Sequence, residues 1–406
     1  MKVNSGHLTY CTNIHPGTNW TEDFSALKLN LPLIKQSVSP DGPIGLGLRL
    51  SNESSLALTS KETLEEFKQW LKENDTYIYT MNGFPYGEFH RTVVKADVHT
   101  PGWTTEARRD YTIRLFHILK ELLPEGIDGG ISTNPLGYRH WYTTDDAREE
   151  ARSKGTLHVI DVITELINIY KDTGKLLHLD IEPEPDGMME TGREFIDWFE
   201  GDLLKTGIPK ISRTFGLNAQ EAEAMIRKHL TLCYDVCHFA IGYEPHAEII
   251  KELKEKNIAV GKIQISAALK ADLNRSAAER QELKKAFEQF NEPVYLHQVV
   301  ARQSEGNLLR YLDLPEALAD FENDAAQEWR AHFHVPISIR EIGLLSTTQD
   351  DILEVLEIQK NNPFTNHLEV ETYTWEVLPE QIKLPIAESI SKELLWVKSK
   401  LASQFL

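Results

Sequence analysis

The side chains that could do chemistry are carboxylates and imidazoles at the ends of apolar runs. In LCYDVCHFAIG (232–242), an apolar stretch runs into Asp235, and His238 follows three positions later. Glu182 ends a similar run in LDIEPEP, Glu371 ends one in LEVETYTW, and Gln264 lies within KIQIS. RAHFHVP adds His332 and His334, whose alternate spacing points both rings the same way in an extended segment. A buried acid without a partner is costly. Three carboxylates brought together repel one another, and a divalent cation cancels that repulsion. An oxygen-rich set completed by an imidazole or amide suits Mn, Mg or Zn. Taken singly, each such acid is more commonly a helix cap or a rim charge. Their recurrence at successive run ends favours a site.

The elements that must position these residues are readable. Eight β-rich runs occur at 8–14, 44–50, 77–83, 129–134, 176–182, 231–235, 259–265 and 368–374. Between them lie segments with helical apolar periodicity, among them 61–72, 106–123, 157–171, 247–256, 276–290 and 350–360. Ser60 and Thr105 sit where N-caps belong. Strand–helix alternation implies a parallel sheet covered by helices. Eight βα units predict an α/β fold, a (β/α)8 TIM barrel, with a doubly wound open sheet as the alternative. One domain over 1–406 is expected, with insertions after strands 5 and 7. These are 188–230, helical with a proline break near IPKISR, and 266–331, with a strand-like run at 294–300. Both are expected to lie over the C-terminal face, where barrel enzymes keep their catalytic residues.

Composition narrows the class. Across 406 residues, 62 acidic side chains outweigh 43 basic ones for a net charge of −19, which opposes nucleic-acid binding. No basic start with an apolar run resembles a signal peptide, and no run approaches a membrane span. A cytoplasmic protein with a small-molecule substrate and no membrane insertion is expected. The cysteines Cys11, Cys233 and Cys237 read as buried free thiols. Gly45-x-Gly47 lacks the third glycine of a dinucleotide fingerprint, and there is no phosphate loop, nucleophile elbow or H-E-x-x-H.

The D-x-C-H step of YDVCHFAIG, the strand-five Glu, HFH and the final E-T resemble the xylose isomerase-like TIM-barrel superfamily of sugar isomerases, epimerases and endonuclease IV. A narrower likeness runs through 7–20, 80–90, 131–141 and 179–191. There HLTYCTNIHPGTNW, TMNGFPYGEFH, ISTNPLGYRHW and LDIEPEPDGMMET resemble the EboE family of metabolite-traffic proteins. The resemblance implies a metal held by Glu182, Asp235 and Glu371, with Gln264 where the superfamily has a histidine. It implies that His238 stands behind the ligands or beside a second metal. His332 and His334 fall where endonuclease IV has an Asp-x-His pair, and His90 matches a further metal histidine.

The expected activity is metal-dependent isomerisation or epimerisation of a sugar-like or polyol metabolite, with Glu182 and Glu371 as the catalytic proton-transfer pair. Arg139, His15 and Arg330 could bind a phosphate or carboxylate, and Trp20, Phe84, Tyr86 and Trp141 could wall the pocket; a packing role serves each equally well. A metabolite-binding protein without turnover is one alternative. An endonuclease IV-like metal phosphoesterase is the other, opposed for DNA by the acidic charge.

Overall fold

The computed structural model describes residues 1–402. Eight parallel strands form the barrel: β1 Gly6–Tyr10, β2 Ile44–Arg49, β3 Thr76–Asn82, β4 Gly129–Thr133, β5 Leu177–Ile181, β6 Leu230–Asp235, β7 Val260–Ile265 and β8 His367–Val370. Each falls within or beside one of the eight sequence runs. They are buried on both faces, which is why they read as nearly continuous apolar stretches. Neighbours pair in order from β2 to β7, β8 joins β7, and β8 joins β1. The ring closes between β1 and β2 through the Cys11–Gly47 bridge and the Thr9 hydroxyl, which donates to the Gly45 carbonyl at 2.8 Å.

Helices cover the outside. Ser60 and Thr105 do cap theirs, accepting from the Thr63 and Arg108 amides. The long helix Asp145–Thr173 begins earlier than its apolar periodicity, because Thr144 caps an exposed acidic first turn. In the 188–230 segment the chain stays helical through Pro209, contrary to the expected break. A wide π-type turn at Phe199–Leu204 precedes the proline, and such a turn makes room for its ring. The Gly45-x-Gly47 spacing also has a packing cause. A Cβ at Gly45 would meet the Tyr79 ring, and one at Gly47 would meet the Glu369 carboxylate.

A second sheet grows from the barrel. Ser266 alone separates β7 from Ala267–Asp272, a strand of a six-stranded antiparallel sheet. That sheet also contains Val299–Gln303, which begins later than the 294–300 run, and Ala326–Val335. The last of these pairs with Ala267–Asp272 and brings His332 and His334 to the barrel mouth.

Candidate metal centre

Glu182 follows β5, Asp235 ends β6, and Glu371 follows β8. Parallel strands put these three positions at one end of the barrel, and their carboxylate oxygens lie within 4.8 Å of one another. All three are buried, and Lys262, below them in β7, is the nearby cation that draws both Glu182 and Glu371 down. Lys262 is itself occupied by Glu369 at 3.5 Å. Burial, then repulsion from Glu371, Asp235 and Glu184, pushes the Glu182 carboxyl well above the ordinary range. Burial, then Asp235 and Glu369, does the same to Glu371. Burial also raises Asp235, but His238, His334 and two hydrogen bonds outweigh it and leave that group below its usual value.

The hydrogen bonds hold one side of each group and leave the other bare. Asp235 Oδ1 accepts from the Ser266 hydroxyl at 2.6 Å and caps the helix Val236–Ile241 through the His238 amide, whereas Oδ2 has no partner. Glu371 Oε1 accepts from the side-chain amides of Asn13 at 2.7 Å and Asn82 at 2.9 Å. Glu182 Oε2 is unpartnered. The three histidines share one arrangement. Nδ1 of His238 faces the Pro183 carbonyl at 3.1 Å, that of His334 the Glu371 carbonyl at 3.2 Å, and that of His332 the Gln298 side-chain oxygen at 2.8 Å. Oxygens of this kind only accept, so each Nδ1 carries the proton and each Nε2 presents a lone pair, as metal-bound histidines do. The Nε2 atoms of His332 and His334 are buried without partners. Burial, with His238 and His334 nearby, holds His332 well below its ordinary value; burial lowers His334 to about 4.

Three further groups of the same compactness lie here: Asp235, His238 and His334; Glu184, His238 and His332; and Cys237, His332 and His334. Orphaned carboxylate oxygens and imidazole nitrogens with a deficit of positive charge fit one or more divalent cations. Beside them lies a small, partly open pocket whose lining includes Phe84, Phe89, Tyr295 and Tyr373.

The other expected residues are dispersed. Gln264 is buried beside Asp235, but its side-chain oxygen takes the Cys233 thiol at 2.8 Å and its amide nitrogen has no partner. His90 is not among the grouped donors. It bonds the Asn13 carbonyl at 2.5 Å and the Tyr295 hydroxyl at 2.8 Å, and so props the asparagine that holds Glu371. Phe84 lines the cavity, whereas the six other pocket candidates lie elsewhere: Arg330 pairs with Glu328 and Asp351, and Tyr86 packs edge-on against Tyr111. Arg139 is neutralised by Glu190 and Glu194, and His15 packs against Tyr10. Trp20 stacks on Phe24 and meets Phe67 edge-on in the core, and Trp141 lies partly exposed against Tyr138. Charge or aromatic character near a motif placed them wrongly, because packing and ion pairing use the same residue types. Glu184, two residues past Glu182, was missed, as was His99, whose Nε2 lies 2.7 Å from it. The proline-flanked EPEP reads as a turn, although its second acid points the same way as the first. Asn13 and Asn82 carry no metal-ligand signature; only their position at strand ends marked them. The three cysteines are buried and free.

The fold is that of the xylose isomerase-like TIM barrels. A protein of that description from Mycobacterium smegmatis, solved in complex with magnesium, superposes with a TM-score of 0.50. The two are 10% identical over 99% of this chain and 100% of that one. A candidate sugar phosphate isomerase/epimerase from Anabaena variabilis gives 0.50 at 12% identity, over 98% of each chain. No family model matches the chain, and no curated protein matches it in sequence. Among the described residues, no helix is long and apolar enough to cross a membrane.

Proposed function

We propose that the chain is a metal-dependent isomerase or epimerase of a sugar-like or polyol metabolite, with Glu182 and Glu371 exchanging a carbon-bound proton. The observation that supports it is the convergence of Glu182, Asp235 and Glu371 with bare oxygens at the barrel mouth. Those three would hold the ion, with Gln264 contributing if its amide turns over, and His238 and His334 standing next to it. When bound, a divalent ion supplies positive charge that polarises the carbonyl and hydroxyl oxygens of a hydroxy-ketone. One glutamate takes the proton from the carbon beside the carbonyl as the electron pair shifts to the carbonyl oxygen. The other delivers a proton to the opposite face as that pair returns. Asn13 and Asn82 fix one oxygen of Glu371 and leave the second for this transfer. His238 Nε2 is positioned to orient a substrate hydroxyl, and the aromatic wall offers an apolar face to the C–H side of a polyol.

The second donor group, Glu184 with His238 and His332, favours a second reading, a metal phosphoesterase acting on a small phosphate ester. The EboE-like segments support a place in cytoplasmic metabolite handling, where binding without turnover is the third possibility. Incubating the protein with Mn, Mg or Zn and a panel of aldoses, ketoses and polyols in deuterated water separates the three. Deuterium entering a substrate C–H bond, and failing to do so in Glu182→Gln, is the expected result. Phosphate release from sugar phosphates without deuterium uptake would replace it with the phosphoesterase. A ligand retained unchanged would leave the carrier.

A further inference from the structure

A second cluster of donors lies at the other end of the barrel. Asp128 immediately precedes β4, His178 is the second residue of β5, and His367 is the first of β8. These are N-terminal ends of parallel strands, so the three face away from Glu182, Asp235 and Glu371. Asp128 Oδ2 lies 3.5 Å from His178 Nε2, and Asp128 Oδ1 lies 3.5 Å from His367 Nε2. The two imidazole rings are 5.1 Å apart, and one donor atom from each of the three residues fits within 4.8 Å.

Both separations exceed an ordinary N–H···O hydrogen bond. They match instead the edge of a coordination tetrahedron: two ligand atoms about 2.0–2.1 Å from a zinc ion stand about 3.3 Å apart. The proton placement agrees. Asp180 Oδ1 lies 2.5 Å from His178 Nδ1 and also takes the Thr231 hydroxyl. Asp180 therefore claims the Nδ1 proton; with no ion bound, the carboxylates of Asp180 and Asp128 favour the doubly protonated ring, and an ion would take the place of the Nε2 proton facing Asp128. A carboxylate behind a histidine is the arrangement that orients metal-bound imidazoles. His367 is fully buried, and neither of its ring nitrogens has a hydrogen-bond partner. Leaving a buried imidazole unsatisfied is costly unless something else occupies it. Space has been cleared as well. A Cβ at Gly130 would collide with the His178 ring, and one at Gly261 would collide with Asp180. Asp128, with its side chain 28% exposed, leaves an entry path from solvent and room for a water ligand.

We propose that Asp128, His178 and His367 bind a divalent transition-metal ion that clips β8 to the β4–β5 edge at the N-terminal end of the barrel. With two imidazoles and one carboxylate, the site prefers ions of the zinc and iron class over magnesium or calcium. It stands independently of the activity proposed for the barrel mouth.

The probe is Zn²⁺ alone on the full chain, stripped with chelator and then reloaded. Asp128→Asn keeps the shape of a partly exposed residue while removing the anionic ligand. The variant is expected to hold one zinc fewer per chain than the wild type by elemental analysis. Its chelator-treated thermal midpoint should match that of the stripped wild type, with a smaller rise on adding zinc. Histidine-selective nitrogen NMR gives a readout that does not depend on a variant folding: Zn²⁺ should shift Nε2 of His178 and His367 but leave His178 Nδ1 protonated. Equal zinc content in wild type and Asp128→Asn, or Nε2 resonances unmoved by zinc, would overturn the proposal. Stripped proteins already differing in midpoint, with no difference in zinc content, would identify Asp128 as an ion-pair partner only.

Discussion

The two ends of the barrel use the same side-chain types to opposite ends. At the C-terminal mouth, four carboxylates and three imidazoles come from the ends of β5, β6 and β8, a short helix and a strand of the second sheet, and they border a cavity. At the N-terminal end, one carboxylate and two imidazoles are gathered with the Tyr79 ring edge-on to His367 at 4.9 Å. The mouth has more donors than one ion needs and space beside them, which is what a reacting centre requires. The lower cluster has three donors, all fixed near the strand starts, and would take a water as the fourth ligand of one ion. Donor identity therefore says little by itself, and the space beside the donors separates chemistry from bracing.

The sharpest way to break that comparison is to disable one end and read the other. Replacing Glu182 by Gln and Asp235 by Asn should lower deuterium exchange by about 10³-fold or more. The same protein should keep the zinc associated with Asp128, as elemental analysis of double and triple variants would show. Loss of all metal from the mouth variant would mean that the two ends are not separate.

A smaller effect should come from the support behind Glu371. Glu393 is buried, accepts from the Ile337 amide and the Thr372 hydroxyl at 2.9 Å each, and burial raises its carboxyl from 4.5 to about 7. A raised carboxyl pKa means the folded state holds its proton more tightly than the unfolded state. Its contribution is therefore complete below about pH 4.5 and declines as pH rises to about 7. Relative to Glu393→Gln, the wild type should lose up to about 3 kcal/mol across that window in denaturant titrations. Parallel curves for the two proteins would count against it.

The smallest effect should follow loss of a single donor to Glu371. Asn13→Ala is expected to cost about ten-fold in turnover, with KM little changed, since the amide positions a carboxylate that still reaches the substrate. An unchanged kcat would move Asn13 from positioning to packing.

The sequence made the barrel legible because each parallel strand is apolar on both faces and is followed by helical periodicity. It made Glu182, Asp235 and Glu371 legible because a strand that ends in an acid breaks that apolar pattern visibly. The lower cluster had no such signal. Asp128 precedes a glycine pair, His178 sits inside an apolar strand, and His367 begins one, with no spacing to join them. Only closure of the ring brings them together. The second sheet was partly legible for a related reason. HFH announced a pair of rings on one side, but the antiparallel partners that set its height above the barrel lie far away along the chain.

The hydrogen bond from Asn13 to Glu371 joins residues 358 positions apart. Such a contact forms only after nearly the whole chain has left the ribosome, and closing so distant a pair is slow in folding. Until β8 docks between β7 and β1, Glu182 and Asp235 have no third carboxylate, and His367 has not reached Asp128. A nascent chain thus offers neither the three-carboxylate set nor the Asp128 set to a stray ion. Occupancy of the Asp128 set would report that the ring has closed.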